Sequence, residues 1–153
     1  MAPRNPITLA RDEPRSVRFE RTINKGTVQE LLKSALQKFA DAQRTENAGT
    51  TRLEAAYDAI LMSALAIFGA QGFRVTSEQG HHKIALEGLA AELRLSQTFV
   101  DEIELLRDIR HLKYTGITHV KPADLTTALE MATRVLNETE AWLVQKFPDL
   151  LKG

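Results

Sequence analysis

Four side chains near the end of one predicted helix have the chemistry needed to bind or transform a phosphate group. They are Arg107, Arg110, His111 and Tyr114. Guanidinium groups bind phosphate in a bidentate manner, imidazole transfers protons, and a phenol donates a hydrogen bond or stacks on a base. All four are therefore candidate ligand-binding residues, and the two arginines and the histidine are also candidate catalytic residues.

The helix that carries these side chains has an apolar stripe formed by Phe99, Ile103 and Leu106, which we expect to face the core. At 100° per residue the four polar side chains fall on or beside this stripe and not opposite it. An arginine turned toward a core needs an anion, because an unpaired buried charge is costly. Two sources remain open: a carboxylate of the protein, with Asp58 and Asp101 as candidates, or the phosphate of a ligand.

A second apolar arc on the same helix, formed by Leu105, Ile109 and Leu112, predicts contact on another side. Such a helix is either central in its bundle or part of a subunit interface. The residues alone leave both alternatives open.

The composition limits the classes of function. Twenty Lys and Arg residues balance 20 Asp and Glu residues, so no global positive field draws the protein to nucleic acid or to a membrane. The absence of cysteine excludes disulfides, thiolate metal sites and cysteine nucleophiles. No metal-binding spacing occurs in the sequence, and we expect neither a metal nor a cofactor. For His81 and His82, capping or loop packing is the favoured interpretation.

Helix boundaries follow from capping signals. Thr27 with Glu30, and Thr51 with Glu54, read as capping boxes that open two helices. Ser96 is predicted to cap a later helix that runs to about Tyr114. The remaining signals are a short helix over about His81 to Leu93, a helix end at Gly116, a helix start at Pro122 and a stop at Pro148.

These segments predict an all-α protein built as an up-and-down bundle of four main helices with one short inserted helix. The bundle is expected to span residues 27–147, after an irregular N-terminal arm over 1–26 and before a C-terminal tail over 148–153. No segment alternates long enough to indicate a strand, and the glycine-flanked residues 69–80 are predicted to form an irregular loop.

The sequence also predicts a cytoplasmic protein. The N-terminal residues lack the apolar run of a secretory signal. The most hydrophobic stretch, Ala55 to Ala70, falls short of the roughly 20 residues needed to cross a bilayer, so we expect a buried helix.

In its long apolar helix, its Gly-His-His element at residues 80–82 and the group Arg107, Arg110, His111 and Tyr114, the chain resembles the HEPN superfamily of nucleotide-binding helical domains. The resemblance implies a helical bundle that dimerises through the motif-bearing helices. It also implies one of two activities, either metal-independent RNA cleavage in toxin–antitoxin or defence systems, or nucleotide binding beside a small nucleotidyltransferase.

The ribonuclease branch of that superfamily places four to six residues between Arg and His, whereas three separate Arg107 from His111. The pattern is therefore nearer to the non-ribonuclease branch. We expect a basic groove that binds nucleotide or RNA phosphate, with a nucleotidyltransferase or an antitoxin as partner. Two alternatives remain open: a metal-independent endoribonuclease, and a structural interaction module without a ligand.

Overall fold

The computed structural model describes residues 2–116 and 119–152; Met1 and Gly153, the outer ends of the predicted arm and tail, lie outside the described residues. Helices dominate this part of the chain, so the predicted all-α class is confirmed. The helices are α1 (Pro6–Asp12), α2 (Lys25–Gln43), α3 (Gly49–Ala70), α4 (His81–Leu93), α5 (Gln97–His111) and α6 (Pro122–Lys146). Two short strands, β1 (Val17–Phe19) and β2 (Phe73–Val75), form an antiparallel pair.

Both predicted capping boxes are displaced from the observed helix starts. Asn24 is the N-cap of α2, where its side chain accepts a hydrogen bond from the Thr27 amide, so Thr27 is the third helical residue and not the cap. α3 begins at Gly49 after Ala48, which has no side chain able to cap it. Asparagine caps a helix as well as threonine does, so Asn24, three residues before Thr27, determines the start of α2.

The starts of the last three helices agree with the sequence, but α5 ends at His111 and not near Tyr114 as predicted. α4 spans the predicted residues, and the Ser96 side chain accepts a hydrogen bond from Phe99 N at the start of α5. Gly116 adopts φ 88°, the left-handed conformation expected of it, after a short 3₁₀ turn over Leu112–Thr115. α6 begins at Pro122 and its last residue precedes Phe147 and Pro148.

The core is built around α3, which is buried over most of its length by α2, α4 and α6. This helix has 22 residues, more than the sequence predicted, and is long and apolar enough to cross a membrane. However, 67% of its most apolar window is buried within the protein. It is therefore the central helix of a bundle, which agrees with a soluble protein.

The N-terminal arm is not irregular, contrary to the sequence prediction. It contains α1 and β1, and Leu9 and Val17 are buried against Phe68 of α3. The Arg4 side chain donates two hydrogen bonds to the carboxylate of Glu87 on α4, one of 2.8 Å from Nε and one of 3.1 Å from Nη2. The backbone N–H of Arg4 donates a third hydrogen bond to the same carboxylate. The apolar residues of this short segment have no helical stripe of their own because their partners come from distant parts of the chain.

The segment between α3 and α4 is also more ordered than predicted. Its residues 73–75 pair with β1, with Val17 opposite Val75 and Phe19 opposite Phe73. Gly72 adopts φ 85° at the turn that leads into β2. Three residues are too few to display the alternation by which a strand is recognised, so this pairing was absent from the sequence prediction.

A glycine sets the distance between α3 and α4. A Cβ atom at Gly88 of α4 would lie 2.3 Å from Cζ of Phe68, closer than any real contact. The phenyl ring of Phe68 therefore packs directly on the α4 backbone. This close approach brings the first turn of α4 next to α3.

Candidate functional site

Arg110 is turned toward the bundle, as the helical stripe predicted. Its Nη1 atom lies 3.5 Å from Oδ1 of Asp58 on α3, and its guanidinium group lies 5.4 Å from the centre of the Tyr57 ring. The ion pair is too poorly aligned for a hydrogen bond, since Nη1 is buried and has no hydrogen-bond partner among the described residues. Asp58 also faces Lys38 at 3.9 Å, so one carboxylate is shared by two cations.

Arg107 differs from Arg110 in having no carboxylate partner. Within residues 2–116 and 119–152, no ion pair involves Arg107, and its buried Nε atom has no hydrogen-bond partner. Asp101, the second carboxylate that the sequence offered, instead accepts a hydrogen bond of 2.8 Å from Gln97. The protein therefore supplies an anion for one arginine and not for the other.

His111 and Tyr114 do not join the inward face on which the helical wheel placed them. Both are exposed, Tyr114 to 79%, and their rings contact each other edge to face at 6.1 Å. For Tyr114 the reason is local: α5 ends at His111, and the following 3₁₀ turn advances about 120° per residue instead of 100°. Tyr114 is thereby rotated away from the bundle.

Tyr57 and His82 complete the site from two other helices. The Tyr57 hydroxyl lies 3.0 Å from Nδ1 of His82, and the two rings are stacked with centres 6.0 Å apart. His81 contacts His82 edge to face at 4.3 Å and also bonds to the Glu78 carbonyl through Nδ1. We call Tyr57, His82, Arg107 and Arg110 the Arg–His cluster.

The electrostatics of the Arg–His cluster favour neutral Tyr57 and neutral His82. Burial raises the pKa of Tyr57 to about 12, although both arginines oppose that shift. Burial, followed by the nearby His81, Arg107, Arg110 and His111, lowers the pKa of His82 to about 4. Because the Tyr57 hydroxyl stays protonated, we assign it as the hydrogen-bond donor to His82 Nδ1. The proton of the neutral His82 ring is then on Nε2, which is a further hydrogen-bond donor.

The carboxyl group of Asp58 is partly buried and lies near the same positive charges. Burial raises the pKa of its carboxyl group, and the charges of Arg110 and Lys38 only partly offset that effect. Asp58 is thus a weak counter-ion for Arg110. His82 lies in the electrostatic field of both guanidinium groups.

Sequence reasoning found the arginines but missed Tyr57 and His82. Tyr57 lies in the hydrophobic stretch Ala55 to Ala70, for which only a buried helix was expected, and capping or loop packing was expected for His82. A usable signal existed, because a tyrosine within an otherwise apolar helix needs a partner for its hydroxyl. The Gly-His-His element supplied candidates, but which histidine would face α3 depends on how α4 packs.

The arrangement has the chemistry of an anion site, with donors from three helices and no carboxylate on Arg107 among the described residues. In comparison with known proteins, no family model, curated protein or solved structure matches the chain. The part of the chain that the structure describes contains no group of three or more metal-ligating side chains.

Proposed function

We propose that this protein binds the phosphate group of a nucleotide or of RNA at the Arg–His cluster. The observation that supports this most directly is Arg107, whose partly buried guanidinium group has no ion-pair partner among the described residues. A partly desolvated cation without an anion beside it is unfavourable, and a bound phosphate would relieve that cost. The N–H of His82 Nε2 adds a donor that stays uncharged at neutral pH.

A cavity of about 690 Å³ lies along α4 and α5, next to the N-terminal segment. Lys83 and Glu104 line it, but none of the four residues of the Arg–His cluster does. Asp12 and Glu87 line it as well, so its walls carry three carboxylates, which repel a phosphate group. The proposal therefore rests on the Arg–His cluster and not on this cavity.

The proposal also draws on the resemblance to the HEPN superfamily. On that basis the protein works as a cytoplasmic homodimer, beside a nucleotidyltransferase or an antitoxin. The exposed side chains of Leu105 on α5 and Leu112 in the following 3₁₀ turn support self-association, since they face away from the core. Tyr114 and His111 would then lie at the edge of the groove and not in its floor.

A metal-independent endoribonuclease is the second candidate. It is favoured by His111, which is exposed at the end of α5 four residues after Arg107, where it could exchange protons with solvent. In this scheme His111 acts as general acid or base and Arg107 stabilises the charge that develops on the phosphate. His82 is a poor base in this scheme because its pKa is about 4.

The structural alternative, without any ligand, is supported by one ion pair. It requires carboxylates near both guanidinium groups, and Asp58 satisfies this for Arg110. Arg107 does not meet the requirement within the described residues. Arg110 thus supports the structural alternative, whereas Arg107 supports ligand binding. A test of the function should therefore use a variant of Arg107.

The test is a calorimetric titration of the purified protein with AMP and, separately, with a 5′-phosphorylated RNA octamer, both in the presence of EDTA. We expect saturable binding that weakens at least tenfold in Arg107→Met, because methionine keeps the flexible apolar stem and removes the charge. The matched control is Arg18→Met, which removes an exposed cation from β1. Equal affinity in the parent and in Arg107→Met, or no binding of either probe, would refute the proposal.

Incubating the same RNA with the protein in EDTA separates the ribonuclease from the binding protein. Cleavage that disappears in His111→Ala would establish the enzyme. Binding without cleavage would establish the non-catalytic function, and His111→Ala should then leave the affinity within about threefold of the parent.

A further inference from the structure

A leucine on the outer face of α5 is surrounded by carboxylates. Leu105 is 54% exposed, although burial of a leucine side chain is favourable. The residues three and four positions away in either direction are its neighbours on the helix surface. Three of these four neighbours are exposed acidic residues: Asp101, Glu102 and Asp108. We call Leu105 and these three residues the acidic patch.

The acidic patch has no cation of its own. Within residues 2–116 and 119–152, none of its three carboxylates forms an ion pair. The same patch on a second copy of the chain cannot cover Leu105 favourably, because three carboxylates from each copy would then face one another and repel. A surface that covers Leu105 must therefore carry positive charge.

The ribbon formed by β1 and β2 carries that charge. Its register places Arg18 directly opposite Arg74, so two guanidinium groups share one face of the ribbon. Both arginines are exposed, and so is Arg21, which follows β1. Glu20 pairs with Arg74 at 2.7 Å. In the part of the chain that the structure describes, Arg18 and Arg21 have no ion-pair partner.

An exposed aromatic side chain lies between these two unpaired arginines in the chain. Phe19 is 66% exposed, and its ring meets the Phe73 ring edge to face at 6.2 Å. Among the described residues β1 pairs with β2 alone, so its outer edge is open to a partner. Successive side chains of a strand point to opposite faces, and a partner at this edge contacts both. We call Arg18, Phe19, Arg21 and Arg74 the basic ribbon.

We infer that the basic ribbon of one copy of this chain docks on the acidic patch of a second copy. Phe19 covers Leu105, and the guanidinium groups of Arg18 and Arg21 meet the surrounding carboxylates. Each surface has one large exposed apolar side chain beside charges of a single sign, and the two signs are opposite. In a dimer with two-fold symmetry the contact forms twice, once from each copy.

This inference rests on the homodimer of the proposed function and names the surfaces that form it. Phosphate binding at the Arg–His cluster does not enter the argument. The charge distribution along the chain agrees with such a contact. Residues 1–26 carry six basic and three acidic side chains, whereas residues 27–153 carry 14 basic and 17 acidic ones.

Sedimentation velocity of the full-length protein tests the contact. At about 100 µM protein and about 50 mM NaCl we expect a dimer, whose dissociation constant rises at least tenfold at about 500 mM NaCl because salt screens exposed charges. Arg18→Glu/Arg21→Glu and Glu102→Lys/Asp108→Lys should each be monomeric at low salt. An equimolar mixture of the two variants should form dimers again, because the acidic ribbon of one is complementary to the basic patch of the other.

The matched control is Lys33→Glu/Arg94→Glu, which reverses two exposed charges elsewhere and should stay dimeric. Leu105→Ser, which leaves every charge in place, should weaken the dimer at least tenfold. Thermal unfolding of each variant establishes that it is folded before its mass is compared with that of the parent.

A parent that stays monomeric at low salt would overturn the inference. A dimer that either charge-reversed variant retains, or a mixture of the two that stays monomeric, would do so as well. A monomeric parent that binds oligouridine through Arg18 would assign the basic ribbon to nucleic acid instead. The AMP titration described above does not depend on these variants, so a failure of this inference is distinguishable from a failure of phosphate binding.

Discussion

The Tyr57 hydroxyl and His82 Nδ1 are 3.0 Å apart, and this contact joins the central helix α3 to the first turn of α4. Burial of His82, followed by the charges of His81, Arg107 and Arg110, lowers the pKa of His82 and stabilises a neutral imidazole. His82 thus keeps its ring uncharged where most histidines would begin to take up a proton.

This pair predicts a loss of stability in mild acid. The pKa of His82 is 6.5 in the unfolded chain and about 4 in the folded protein, so between these values the unfolded chain binds more protons. The contribution of His82 is therefore complete above pH 6.5 and is lost as the pH falls toward 4. Because the ring is partly exposed, we expect this loss to be about 1 to 2 kcal/mol.

Urea unfolding of the parent and of His82→Gln at pH 7, 6, 5 and 4 measures the effect. The variant should lose about 1 to 2 kcal/mol less than the parent across this interval. His119→Gln, at an exposed histidine, should behave as the parent does. Parallel pH profiles for the parent and His82→Gln would contradict the assignment.

The two arginines of α5 should differ in their effect on stability. Arg107→Met removes a charge that has no ion-pair partner among the described residues, so the free energy of unfolding should stay within about 0.5 kcal/mol of the parent or increase. Arg110→Met removes the partner of Asp58 and the contact with Tyr57, and should cost about 1 to 2 kcal/mol. Lys38 limits this cost because it still faces Asp58. Thermal and urea unfolding distinguish the two, and a larger loss in Arg107→Met would reverse the interpretation.

Gly88→Ala should destabilise the protein although alanine is the better helix former. Its Cβ atom would lie 2.3 Å from the Phe68 ring, so α4 must shift, and we expect a net loss of about 1 to 3 kcal/mol. Gly69→Ala is the matched control, because its Cβ atom would meet Val28 at an ordinary 3.5 Å, and it should gain about 0.5 kcal/mol. In a Phe68→Leu background the cost of Gly88→Ala should decrease, and an unchanged cost there would show that the ring is not the cause.

Leu9→Ala should show that the N-terminal segment is part of the fold. Leu9 is fully buried against Val17 and Phe68, so its truncation should cost about 2 to 4 kcal/mol in urea unfolding. Ile7→Ala, two residues earlier in α1 and 62% exposed, should change the free energy of unfolding by less than about 0.5 kcal/mol. Similar small effects at both positions would indicate a loosely attached arm.

The helices could be predicted from the sequence because their signals are local. Ser96 and Pro122 mark helix starts within one turn of the residues they affect, and the apolar stripes repeat over several turns. The pairing of β1 with β2 has no such signal, since each strand has three residues and its partner lies far away in the chain. The Leu9 contact was missed for the same reason.

In the candidate site too, the features with local signals could be predicted and those that depend on distant residues could not. Arg107 and Arg110 lie on one helix, so their inward orientation follows from helical periodicity alone. The contact between Tyr57 and His82 depends on the packing of α4 against α3, which no spacing within either helix reveals. Tyr114 was misplaced because the switch from an α-helix to a 3₁₀ turn changes the rotation of every residue after it.

The attachment of the N-terminal segment also affects how the protein is made. Arg4 and Glu87 are 83 positions apart in the chain. β1 can pair with β2 only after residues 73–75 have been synthesised. At about 5 to 20 residues per second on the ribosome, the interval between synthesis of Arg4 and of Glu87 is roughly 4 to 17 s. During that time Leu9 and Val17 are exposed on the nascent chain, where chaperones can bind them. This segment therefore cannot complete its packing until α4 has emerged.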